Sequence, residues 1–205
     1  MGLYAEQILP RLINVGCGPR ATGRLRARVC APLRGAVLEL GFGSGANVPF
    51  YPPTLASVSA VDPSGTAWEL AARRRDKSAI PIHRAGLDGQ LLDSPDDSFD
   101  TALSTWTLCT IPDPVRALAE VRRVLKPGGF LRFVEHGLAP EESVRRWQRR
   151  IEPLQRRLVG GCHLTRDIEA LLQESGFEPA ELECFYEPGM PRSQGCFYLG
   201  TAVPR

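Results

Sequence analysis

Apolar positions along the chain keep two rhythms in turn. Short unbroken runs occupy 36–41, 57–62, 79–83, 99–104 and 129–135. Each has the length of a strand buried on both faces. Between them the spacing turns helical. In 114–125, Leu118, Val121 and Leu125 share one face while Arg116, Glu120, Arg122 and Arg123 take the other. That helix is predicted to stop at Lys126-Pro127-Gly128-Gly129, where proline cannot continue it and glycine permits reversal. Thr66 and Glu69 read as a capping box that opens a helix through Arg75. A helix is predicted over 165–175, with Ile168, Leu171 and Leu172 on one face and Gly176 as its stop. Strands alternating with helices predict an α/β fold, a mostly parallel sheet covered on both faces. The runs 180–187 and 195–202 are separated by Pro188-Gly189-Met190-Pro191 with no helix between, so they should pair antiparallel at an edge.

The 205 residues suit one domain, and 43% apolar with 23% charged residues is globular composition, not disorder. A net charge of +2 is too mild to point to a dedicated nucleic-acid binder, although local basic stretches exist. No apolar run approaches the roughly 18 residues of a membrane span, and no signal-peptide pattern opens the chain. The six cysteines, at 17, 30, 109, 162, 184 and 196, have no Cys-x-x-Cys spacing. They read as scattered reduced thiols, so the expected location is cytoplasmic. With three histidines they offer no zinc-site spacing, and no metal is expected.

The first run ends in Glu39-Leu40-Gly41-Phe42-Gly43-Ser44-Gly45. Alternate glycines let the backbone turn tightly and let a ligand touch the main chain. In a parallel sheet this turn lies at the carboxyl edge, where ligands bind. Asp62 ends the second run about 20 residues later, where an acid can accept from ribose hydroxyls. Two adenosine-containing cofactors compete. Gly41-x-Gly43-x-x-Ala46 fits the dinucleotide fingerprint, which leaves an NAD-dependent oxidoreductase open. The Glu39 carboxylate argues the other way. It would repel a diphosphate and favour the ammonium and sulfonium of S-adenosylmethionine. A second glycine-rich stretch, Val15-Gly16-Cys17-Gly18-Pro19-Arg20, reads as a plain turn, because Pro19 has no amide to offer.

Four pieces in order, Glu39 to Gly45, Asp62, Asp96-Asp97-Ser98-Phe99-Asp100 and Leu125-Lys126-Pro127-Gly128-Gly129, resemble the motifs of class I S-adenosylmethionine-dependent methyltransferases. The resemblance spans roughly 35–200 and implies a Rossmann-like sheet of seven strands with an antiparallel C-terminal hairpin. It implies that Gly41, Gly43 and Gly45 surround the methionine part of the cofactor and that Asp62 holds the ribose. Asp88-Gly89-Gln90 stands where the family often has Asp-Ala-Glu, so Asp88 would accept from the adenine amine and Gly89 would meet the ring. Leu92-Asp93 departs from the usual Leu-Pro. A nearer likeness lies in Ala46-Asn47-Val48-Pro49-Phe50-Tyr51-Pro52, Trp106-Thr107-Leu108-Cys109, Val134-Glu135-His136 and Gly161-Cys162-His163-Leu164-Thr165-Arg166. Together these resemble the methyltransferase-like 7 group, whose animal members resemble thiol methyltransferases and carry an apolar N-terminal anchor that is not seen here.

Methyl transfer from a sulfonium needs positioning more than activation, and a thiol acceptor gains from losing its proton. His136, directly after the fifth run, is the candidate base or acceptor-orienting residue. His163 is a candidate substrate contact, with capping or packing as its alternative. Trp106 is a candidate wall of the adenine or acceptor pocket, and Cys109 reads as a small apolar filler. Arginines 145, 146, 149, 150, 156 and 157 accompany Trp147, Ile151, Leu154 and Leu158. That stretch is either a solvated helix face or a weak contact with an anionic membrane surface, and Pro153 should kink or divide it. The expected organisation is one methyltransferase domain over 1–205, with 1–33 as a helical cap and 136–165 as an acceptor-side insertion. The expected acceptor is a small-molecule thiol or similar soft nucleophile. Amine or phospholipid-headgroup methylation, and a non-catalytic cofactor-binding module, stay open.

Overall fold

A computed structural model describes residues 4–205. After a helical turn at Tyr4–Ile8 come α1 (Leu9–Gly16) and α2 (Pro19–Cys30). The strands are β1 (Ala36–Leu40), β2 (Ser57–Val61), β3 (Ile82–Gly86), β4 (Phe99–Thr105), β5 (Leu125–His136), β6 (Phe177–Tyr186) and β7 (Cys196–Pro204). The remaining helices are α3 (Gly65–Leu70), α4 (Ala72–Asp76), α5 (Pro114–Val124), α6 (Glu142–Leu158) and α7 (Ile168–Glu174).

The strands form one seven-stranded sheet in the order β3-β2-β1-β4-β5-β7-β6. The pairs from β3 to β5 are parallel, and β7 is antiparallel to both β5 and β6. This is the expected Rossmann-like architecture with its C-terminal hairpin. The two-residue strand period assigns side chains to layers. Leu38, Leu40, Ala102, Leu131 and Phe133 enter one core with Leu118, Val121 and Val124 of α5 and Ile168 and Leu172 of α7. Their neighbours Val37, Leu103 and Val134 point the other way and pack with Leu25, Val29 and Cys30 of α2. Each large side chain buried in this way contributes about 1.5–3 kcal/mol.

Several boundaries differ from the sequence reading. The third strand starts at Ile82, after Pro81, because proline has no amide for the ladder. Ser64, not Thr66, caps α3: its side chain accepts from the Ala67 amide. Extended backbone at Ser64 aims the hydroxyl at the first turn, whereas Thr66 is already inside the helix. The helix then breaks at Ala71 into α3 and α4. Asp167 caps α7 by accepting from the Ala170 amide, so the predicted helix loses its first residues, 165–167. Lys126 to Gly129 form a bulge within β5, since Phe99 pairs with Leu125 and Thr101 with Phe130. Pro153 lies inside α6 without dividing it.

The N-terminal helices are tied to the sheet by one buried guanidinium. Arg26 of α2 donates to Asn47 Oδ1 at 2.6 Å, to Thr22 Oγ1 and the Cys17 carbonyl at 2.7 Å, and to Thr105 Oγ1 at 3.3 Å. Within the Val15–Arg20 stretch, Cys17 and Gly18 link α1 to α2, with Pro19 in the first turn of α2. No helix among the described residues is long and apolar enough to cross a membrane.

Candidate active site

The turn after β1 holds three glycines at positive φ: Gly41 at 68°, Gly43 at 56° and Gly45 at 70°. A side chain on Gly41 would come within 1.9 Å of Thr107 Oγ1, so this glycine is required by close packing. At Gly43 a Cβ would meet nothing nearer than the Gly41 carbonyl at 3.9 Å. That face of the turn is open at the carboxyl edge of the sheet, and main chain there is free to line a cofactor. Asp62 braces it from β2. One carboxylate oxygen accepts from the Gly43 amide and the other from the Ser64 amide, each at 2.8 Å. Burial pushes the Asp62 carboxyl up and the two amides pull it back.

Glu39 lies inward from this turn. It is fully buried, accepts from Asn47 Nδ2 at 2.8 Å and from the Tyr51 hydroxyl, and has Arg26 nearby. Burial raises its carboxyl to about 7. Its charge therefore sits in a closed network with both oxygens engaged. Asp88 and Gly89 follow β3 on the same edge. Asp88 is exposed and accepts from both the backbone and side-chain nitrogens of Gln90 at 2.9 Å. Gly89 is buried; a Cβ there would lie 3.0 Å from Leu40 Cδ2 and 3.2 Å from Ile111 Cδ1. It packs beside the end of β1.

The loop after β4 is organised by Glu135, a residue to which sequence reading assigned no role. Its buried carboxylate accepts from Ser104 Oγ at 2.7 Å, the Thr107 amide at 3.0 Å and the Cys109 amide at 3.4 Å. Burial raises its pKa and these donors lower it. Thr107 Oγ1 in turn donates to the Leu40 carbonyl at 3.1 Å, so the end of β5 holds this loop against the glycine turn. Trp106, at φ 52°, packs edge-on against Phe197 at 5.7 Å, with the Arg26 guanidinium 4.8 Å from its ring.

His136 ends β5 with its ring 4.7 Å from Phe197. Its Nδ1 lies 3.9 Å from Cys109 Sγ and 3.9 Å from Cys162 Sγ, and the two sulfurs are 3.7 Å apart. The reading of the cysteines as scattered is thereby corrected. Two of them, 53 positions apart, meet at one histidine. Cys109 is buried with Leu164 as the filler reading expects, and its sulfur also faces His136. His163 points elsewhere, with Nδ1 3.2 Å from Glu152 Oε1. It does not cap a helix. The other Glu152 oxygen accepts from the Leu164 amide and from both the amide and hydroxyl of Thr165. The signal for convergence was present: Cys109, His136 and Cys162 each lie in a short motif of the nearer likeness, and only the fold shows that they touch. Arg26, Asn47 and Tyr51 were missed as a network, and Arg26 stands in no motif.

A family model described as a methyltransferase domain matches residues 38–133. Thiol S-methyltransferase TMT1B of Rattus norvegicus is 35% identical over 171 residues, covering 82% of this chain and 70% of that protein. The Homo sapiens TMT1B is 36% identical over 174 residues, with shares of 82% and 70%. A phosphatidylethanolamine N-methyltransferase of Cereibacter sphaeroides is 35% identical over 107 residues, half of each chain (50% and 51%). Among solved structures, a SAM-dependent methyltransferase from Aquifex aeolicus superposes with a TM-score of 0.64 at 16% identity, covering 94% and 97% of the two chains. The cyclase SpnF superposes at 0.71 and 20% identity, covering 98% and 94%. These structural likenesses speak for the fold alone. The sequence relatives set aside the nicotinamide alternative that the Gly41-x-Gly43-x-x-Ala46 spacing left open, and S-adenosylmethionine is the cofactor. The chain belongs to the class I S-adenosylmethionine-dependent methyltransferases, close to the thiol S-methyltransferases.

Proposed function

We propose that this methyltransferase acts on the sulfur of a small-molecule thiol. One observation carries the choice of acceptor. The carboxylates beside His136 and His163, Glu135 and Glu152, have both oxygens engaged by donors of the protein itself. An ammonium group would find no unpartnered acid there, whereas Cys109, Cys162 and Phe197 make polarizable surroundings suited to sulfur.

When bound, S-adenosylmethionine supplies a methyl group on a sulfonium that is already activated for displacement. Gly41, Gly43 and Gly45 would hold its methionine end, with the charge of Glu39 behind the turn. Asp62 would hold the ribose. Asp88 and Gly89 would meet the adenine, and Trp106 would close the wall toward the acceptor. His136 orients the acceptor, and His163, whose ring is held by Glu152 and whose amide donates to the Cys109 carbonyl, borders that site. Of the expected 1–33 cap, the described residues 4–33 serve as the cap, the first three lying outside the described residues, and 136–165 serve as the acceptor-side insertion, in one domain. A cytoplasmic setting accords with cysteines used as thiols, and no nucleic acid is a partner.

The test is turnover of labelled donor on a panel of thiols, amines and phenols. A thioether product on thiols is expected. Methylation confined to amines or phosphoethanolamine headgroups would overturn the reading, as would donor binding with no turnover on any acceptor. One feature favours a lipid-facing variant of it. α6 exposes Trp147 and Leu154 at 58% and 60%, with Leu158 on the same stripe and arginines around them. This face would give weak contact with an anionic membrane surface and with lipophilic thiols dissolved in it.

A further inference from the structure

We propose that Cys109, His136 and Cys162 form a binding site for a zinc-class divalent ion, with the fourth coordination position left for the acceptor's sulfur. The donor distances fit a tetrahedral ion. With zinc–sulfur bonds of about 2.3 Å and a zinc–nitrogen bond of about 2.05 Å, tetrahedral angles put two sulfurs about 3.8 Å apart and each about 3.6 Å from the nitrogen. The observed triangle is 3.7 Å between sulfurs and 3.9 Å from each sulfur to His136 Nδ1. All three donor atoms lie within 4.8 Å of one another, and among the described residues no fourth histidine, cysteine or acid joins them.

The ligands are held by separate parts of the fold. The Cys109 amide is fixed by Glu135, and the Cys109 carbonyl accepts from the His163 amide at 2.7 Å. His136 is set by its pairing with Phe197 in β7. The Cys162 amide donates to the Val159 carbonyl at 3.1 Å. Both cysteines are almost fully buried, whereas His136 is only partly so, which leaves one side of the triangle approachable. Two thiolates and an imidazole form a soft donor set that selects zinc over magnesium or calcium. Three protein ligands with one exchangeable position is the pattern of sites that act on a substrate, not of closed structural ones.

The site's place gives it a use, and this part rests on the thiol reading above. Cys109 is two residues from Thr107, whose hydroxyl is bonded to the Leu40 carbonyl at the cofactor turn. An entering thiol would replace water on the ion. The metal–oxygen bond breaks, a metal–sulfur bond forms, and the thiol proton passes to solvent. The sulfur is then held as thiolate, the nucleophilic form. His136 is a ligand in this arrangement, which is how it orients the acceptor.

The test uses the full chain purified without chelators. Metal analysis should find one zinc per chain. Cobalt in its place should give tetrahedral d–d absorption and sulfur-to-cobalt charge transfer. Cys109→Ser and Cys162→Ser should lose both while still binding S-adenosylmethionine, and His136→Cys should keep the ion with a stronger charge-transfer band. If the serine variants fail to fold, the wild-type stoichiometry and cobalt spectrum decide alone. Wild type without bound metal and without a cobalt spectrum overturns the site, even if thiols are methylated. Adding 2-mercaptoethanol to the cobalt protein should intensify the charge-transfer band, and an unchanged spectrum overturns the claim about the fourth position. A cobalt site in an enzyme that methylates only amines would overturn the thiol reading and leave the ion site standing.

Discussion

Gly41 and Gly43 share positive φ but not surroundings, and the difference separates packing from ligand contact. Gly41→Ala drives a methyl into Thr107 Oγ1, and strain of about 1–3 kcal/mol should appear as a lower melting temperature in the free protein. Gly43→Ala meets open space, so its stability loss should be limited to the left-handed backbone, about 1–2 kcal/mol. Its larger effect should be on donor affinity, read by calorimetry. Equal melting shifts with unchanged affinity would remove Gly43 from the cofactor face. Asp62 holds the Gly43 and Ser64 amides and, as proposed, the ribose. Asp62→Ala should weaken S-adenosylmethionine binding by roughly 1.5–3 kcal/mol for a charge-assisted bond, or about 10- to 150-fold. A folded variant with an unchanged dissociation constant would contradict the ribose role. These positions were legible in the sequence because each lies within a few residues of a strand end, where local geometry decides the contact. Arg26 was not, because its partners Asn47 and Thr105 are 21 and 79 positions away and nothing local marks it.

The end of β5 shows how one element can organise another. Glu135 receives Ser104, Thr107 and Cys109, so Glu135→Gln must turn an NH₂ toward a donor and orphan at least one of them. A loss of about 1–3 kcal/mol is expected, with faster amide exchange concentrated in the loop after β4. Uniform loosening of the whole sheet would show that Glu135 does not specifically hold that loop. α6 offers the opposite case. Trp147 and Leu154 are exposed, so Trp147→Ser with Leu154→Ser should change stability by only about 0.5 kcal/mol. The same pair should reduce cosedimentation with anionic vesicles; unaltered cosedimentation would make the helix a plain solvated face. At this scale the strands were legible from runs of apolar residues, and α5 from its period. Less legible were the edges. Whether Ser64 or Thr66 caps α3 depends on backbone angles, and the bulge at Lys126–Gly129 depends on what β4 presents opposite it.

Across the whole molecule, Arg26 and Glu39, both buried and both bonded to Asn47, join cap, sheet and cofactor turn, and the ionisation of Glu39 is open to measurement. Burial pushes the Glu39 carboxyl up to about 7 in the fold, from its ordinary value of about 4.5. Between those values the folded state keeps a proton that the unfolded chain has released, so stability is full below about 4.5 and declines as pH rises through about 7. Tyr51, Asn47 and Arg26 oppose the shift, and Asp62 adds to it. Glu39→Gln should therefore gain on wild type as pH rises through that window, by at most about 1.4 kcal/mol per pH unit. A difference that is flat with pH would mean that Arg26 keeps Glu39 ionised throughout. The same guanidinium imposes an order of birth. α2 is synthesised before every strand it covers, and Thr105 follows Arg26 by 79 residues. At ~5–20 residues per second, the helix waits roughly 4–16 s on the ribosome for that partner. During that interval Leu25, Val29 and a guanidinium bonded only within its own helical segment stand without the sheet that later buries them. Cellular yield of this enzyme is therefore expected to depend on what shelters α1 and α2 until β4 emerges.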